Sequence, residues 1–161
     1  MRQATKDLLV KTEAHLEGLS GQLIDELAGI AQGDWGIRAP GLAGKVGSLE
    51  IMVFTDGYRL ALYALDRSSA QIGHRGLLKE GHTNGLLDGE GFNPDLDAYD
   101  FQNGDDNREL DEFDAAQKDI FIKWFTGCWG RTDKSRLAVP VYLSFHDTGG
   151  SLDLQTYLWT A

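Results

Sequence analysis

Four histidines, one cysteine and 25 aspartates and glutamates are the side chains of this chain best suited to chemistry. His74, His82 and His146, together with nearby carboxylates, have the ligand types of a zinc or iron site. Their spacing matches no helical or short-loop ligand pair, so surface or hydrogen-bonded histidine is the plainer reading. His15 interrupts the apolar face of a helical segment, where a packed border position is expected. Cys128 has the chemistry of a nucleophile served by a histidine base. It lies, however, near the end of a predicted helix, where the dipole raises a thiol pKa, and within that helix's apolar stripe. A buried structural cysteine is expected.

The glycine-rich stretches fail as phosphate cradles. Gly41 to Ser48 contains Gly44 and Lys45, but Ala39 stands where the loop's first glycine belongs and Val46 follows the lysine. The stretch also precedes a predicted strand, whereas a phosphate loop leads from a strand into a helix. Gly89-Glu90-Gly91 lacks the third glycine of a dinucleotide fingerprint and any surrounding βαβ unit. Asp95, Asp97 and Asp100 begin like a calcium loop, without the central glycine. Neither a G-x-S-x-G elbow nor an H-E-x-x-H pair occurs. No cofactor is implied.

What remains is charge. Eleven of the 25 acids but one of the 15 bases fall between Asp88 and Asp114, so this stretch carries the whole formal net charge of −10. The rest of the chain is balanced. Such a surface disfavours DNA, RNA and anionic membranes, which need Lys and Arg, and favours a basic partner. Phe92, Tyr99, Phe101 and Phe113 are interleaved with the acids. Aromatic anchors ringed by charge have the composition of an interface. The competing reading folds the aromatics onto the core and leaves the acids as a solvated face. The candidate partner-binding residues are Asp95, Asp97, Tyr99, Asp100, Phe101, Asp105, Asp106, Glu109 and Glu112.

These residues must be positioned by regular elements. Leu8, Thr12, Leu16, Leu19, Leu23, Leu27 and Ile30 follow helical spacing and predict a helix over 5–28, weakened and bent near Gly18. Residues 32–47 read as a loop. Residues 48–54 and 58–65 are β-prone around Asp56-Gly57, a type I′ hairpin signal, and 70–78 is a weaker third strand. Residues 81–107 form a long acidic loop, too long for an ordinary connection and therefore functional, mobile or ordered by a partner. Leu110, Phe113, Ala116, Ile120, Trp124 and Cys128 predict a second helix over 109–128. Alternation then predicts strands over 137–146, with Pro140 at an edge or bulge, and from Leu152 to the C-terminus. The expectation is a single α+β domain over 1–161, ordered α-β-β-β-α-β-β, with an antiparallel sheet of about five strands and two helices packed on it.

This profile resembles the bacterial immunity proteins that neutralise toxins of contact-dependent or type VI secretion systems. The stretches that carry the likeness are Phe121-Ile-Lys-Trp-Phe-Thr-Gly-Cys-Trp129 and Pro140-Val-Tyr-Leu-Ser-Phe-His-Asp147, followed by Ser151-Leu-Asp-Leu154 and Trp159. The resemblance is one of type. It implies a non-enzymatic inhibitor that covers a basic toxin domain, and it carries over no individual residue. The alternatives are a small-ligand or metal-dependent enzyme domain with a pocket near residues 81–107, and a plain partner subunit. A lone cysteine and the lack of an apolar leader in Met1 to Val10 fit a cytoplasmic protein.

Overall fold

The computed structural model describes residues 1–79 and 84–160. Leu16, Leu23, Leu27 and Ile30, which share one face at helical spacing, are fully buried. They lie on two consecutive helices, α1 (Gln3–Gly18) and α2 (Ser20–Ala31), where the sequence predicts one. The break is slight: Leu19 keeps φ −94° and ψ −3°, and the Leu23 amide still donates to the Leu19 carbonyl at 3.0 Å. Gly18 and Gly21 flank the junction and lower the cost of interrupting the ladder there.

The strands are β1 (Val46–Phe54), β2 (Arg59–Asp66), β3 (Gln71–Leu77), β4 (Val141–Phe145), β5 (Ser151–Asp153) and β6 (Trp159–Thr160). They form one six-stranded sheet in the order β3-β2-β1-β4-β5-β6. The sheet is mixed rather than antiparallel, because β1 pairs in parallel with β4, from Leu49 opposite Val141 to Val53 opposite Phe145. Parallel neighbours need a crossover connection. Here the crossover contains α3 (Gly104–Gly130), so among the described residues the molecule is α+β with three α-helices and six strands instead of two and five. The predicted C-terminal strand is split by a turn in which Tyr157 has φ +56°. Pro140 lies outside β4, and its carbonyl accepts from the Leu49 amide at 2.9 Å.

Alternation in β1 and β2 sends Leu49, Ile51, Val53, Leu60, Leu62 and Ala64 to the helix side, where all are buried. They share one core with Leu23 and Leu27 of α2 and with Phe121, Phe125 and Trp129 of α3. The Trp129 indole donates to the Leu154 carbonyl at 2.8 Å, so its buried N–H is satisfied.

The described part of the acidic segment begins against the β1–β2 turn. Gly57 and Tyr58 both adopt positive φ, one residue beyond the Asp56-Gly57 pair expected to do so. The Leu87 amide donates to the Gly57 carbonyl at 2.9 Å, and Leu86 and Leu87 are buried. Asn93 donates to the Leu87 and Gly89 carbonyls, and Gln117 to that of Phe92. The segment is thus tied to the core through Leu86, Leu87 and Phe92. The contact requires glycine: at Gly85, with φ +130°, an added Cβ would lie 2.0 Å from the Gly57 carbonyl oxygen. Gly85→Ala is expected to lower stability by more than about 1 kcal/mol, measured by urea unfolding. Limited proteolysis should then cut first within 84–93.

Candidate functional site

The start of α3 carries the densest charge and is built accordingly. Asn103 caps the helix, its side-chain oxygen accepting from the Asp105 amide at 2.9 Å. Asp105 and Asp106 occupy the first turn, where the helix dipole favours negative charge.

Arg2 clamps this end of the helix to α1. Its guanidinium donates to the Asp106 carboxylate at 2.6 Å and to the Ala98 carbonyl at 3.0 Å, and lies 4.2 Å from the centre of the Tyr99 ring. The Arg2 amide donates to Glu109 at 2.6 Å. Thr5, buried beneath, donates to the same carboxylate at 2.9 Å and lies 3.1 Å from the Tyr99 hydroxyl. Tyr99, Asp106 and Glu109 therefore turn inward and fix the platform. The hydrogen bond from the Arg2 amide holds the Glu109 carboxyl below its ordinary pKa, helped by Thr5 and by the Arg2 charge.

The other candidates face water. Asp95, Asp97, Asp100, Phe101, Asp105 and Glu112 are all exposed. Phe101 is 55 % exposed, and Leu96, which the sequence reading did not select, is 54 % exposed. The signal for Leu96 was its place between Asp95 and Asp97. Neither apolar side chain is loosely held. Leu96 opens a short 3₁₀ turn capped by Asp95, whose carboxylate accepts from the Asp97 amide at 3.1 Å. The Phe101 carbonyl accepts from Asn107 at 3.0 Å, while Asp100 donates its amide to Asp106 and accepts from the Gln102 amide. Two exposed apolar groups thus lie among exposed acids on a hydrogen-bonded backbone frame. Among the described residues, Arg108 pairs with Asp105 at 2.7 Å, and Asp95, Asp97, Asp100 and Glu112 have no ion-pair partner. Phe92 behaves differently from Phe101: it is half-buried and packs against the core and the His15 ring.

Each described histidine lies against an aromatic ring. His74 stacks on Tyr63 with ring centres 5.6 Å apart, and His146 lies against Phe54 at 5.1 Å. His82 falls outside the described residues. Among the described residues, no three His, Cys, Asp or Glu side chains group as a metal set. Cys128 is buried, and burial pushes its thiol pKa up. A polar cavity of about 280 Å³ beside Asn93 is lined by Thr55, Tyr58, Asp114, Lys118 and Asp147. Burial, then the charges of Asp114 and Asp147, hold the Tyr58 hydroxyl protonated, and burial raises the Asp114 pKa. Neither His74 nor His146 lines that cavity.

No described helix is long and apolar enough to cross a membrane. Compared with protein-family models, curated proteins and solved structures, the chain matches none.

The clamp makes stability depend on pH in a definite direction. The Glu109 pKa is lower folded than unfolded, so its contribution is present above the unfolded value and fades as pH falls through the folded one. Glu109→Gln is expected to unfold at lower urea than the wild type at pH 7. The difference between the two midpoints should shrink toward about pH 3.

Proposed function

We propose that the chain is a non-enzymatic protein inhibitor, of the immunity-protein type, that binds and neutralises a basic bacterial toxin domain. The observation that carries this reading is that Leu96 and Phe101 are both more than half exposed in a stretch where Asp95, Asp97, Asp100 and Asp105 are exposed too. Large apolar groups held in water by a satisfied backbone gain by being covered. Exposed carboxylates, most of them without an ion-pair partner among the described residues, steer a cationic partner toward them and speed encounter. The Arg2 clamp supports the reading too, since a preordered surface avoids the entropy of ordering on binding. Tyr99, Asp106 and Glu109 act in this account as supports, not as contacts.

Affinity capture with the tagged full chain, with the captured protein identified by mass, supplies the partner for kinetics. Replacing Asp97 and Glu112 by Lys is expected to slow association and flatten its salt dependence, with little effect on folding. Phe101→Ala is expected to speed dissociation and cost about 2 kcal/mol of affinity, roughly 30-fold. Unchanged kinetics in both variants would remove the acidic surface from the interface.

A further inference from the structure

The helices pack on one face of the sheet, and most side chains of β1 and β2 on the other face are half-buried. On that second face the β2–β3 register builds a slot of about 390 Å³. Ala61 stands opposite Gly76, and Tyr63 opposite His74. The small pair makes a floor, and the aromatic pair, stacked at an interplanar angle of 22°, makes one wall. Phe54 makes the other, with the Arg59 guanidinium 4.7 Å above its ring centre. The Lys79 chain runs across Gly76, where an added Cβ would lie 2.2 Å from the lysine Cε.

The slot's charge is opposite to that of the chain as a whole. Arg59, His74 and Lys79 line it, and no carboxylate does among the described residues. Among those residues Arg59 and Lys79 also make no ion pair. Two cations without an ion-pair partner among the described residues, beside flat aromatic walls, match a planar ring that carries an anion. The ring stacks on Tyr63–His74, and the fork of Arg59, held over Phe54, takes the anion's oxygens with Lys79 as a point charge. The volume is at the lower end for small-ligand sites.

We propose that this slot binds a small planar ligand bearing a phosphate, of the mononucleotide or aryl phosphate kind. The site lies on the sheet face, away from the acidic surface on the helix layer, and does not depend on the function proposed for that surface.

The test is titration of the full chain with AMP and with phenyl phosphate, followed by backbone amide shifts in NMR spectra. Saturable shifts centred on β2 and β3, with a Kd of about 1 mM or tighter for at least one probe, are expected. Adenosine and inorganic phosphate should each bind at least about tenfold more weakly, because each lacks one half of the recognised group. Arg59→Glu and Lys79→Glu, both at exposed positions, should weaken binding by a similar factor with an unchanged circular dichroism spectrum. The proposal is overturned if neither probe gives saturable shifts, if the shifts lie elsewhere, if inorganic phosphate binds as well as the probes, or if Arg59→Glu binds like the wild type. Arg59→Glu should capture the protein partner as the wild type does, so the two surfaces are tested separately.

Discussion

The parallel pairing of β1 with β4 constrains most of what the chain does. Its hydrogen bonds run from Leu49 at the Pro140 carbonyl to His146 at the Val53 carbonyl, at 2.9 and 3.0 Å. To place β4 beside β1 in that direction, the chain must leave the sheet after β3, pass over one face and return. The acidic segment and α3 make that passage, and the aromatic stripe of α3 sets its depth by burying Phe113, Phe121, Phe125 and Trp129. The acidic end of α3 lies on that connection, and the basic slot lies on the sheet face opposite the helices.

Much of this was legible in local pattern. Helical spacing marked the buried face of α1 and α2, and the stripe of α3, because burial on one side imposes a period of 3.6. Alternation over 137–146 marked the inward Val141, Leu143 and Phe145 of β4 for the same reason with period two. Pairing between distant strands leaves no such trace: Leu49 and Val141 look alike whether they meet in parallel or not. The break at Leu19 was partly visible in Gly18 and Gly21, but the partner that meets it was not. Trp124 donates to Ser20 across the helix pair at 2.9 Å, a contact that only the folded chain brings about.

The candidate site shows the same division. Charge density located the surface, since the acids are consecutive in sequence. It could not sort them. Asp106 and Glu109 look no different from Asp105 and Glu112 along the chain, yet Arg2, more than a hundred positions away, draws in the first pair and leaves the second in water. The aromatics divide likewise: Phe92 reaches the core, Tyr99 lies under the guanidinium, and Phe101 stays outside. The reading that folds the aromatics onto the core therefore holds for Phe92 and not for Phe101. The basic slot was not read at all, because its cations are separated by twenty residues and meet only through the β2–β3 register.

The central claim is that the acidic surface is already formed in the free chain. The amides of Asp97, Ala98, Tyr99, Asp100, Gln102 and Asn103 all donate to acceptors within 95–106. Hydrogen exchange of the free protein, read by mass spectrometry over this segment, tests it directly. The account predicts exchange well below the rate of an unstructured peptide, approaching that of the first turns of α3. Exchange at the unstructured rate across 95–103 would contradict it, since Leu96 and Phe101 would then have no frame to hold them out.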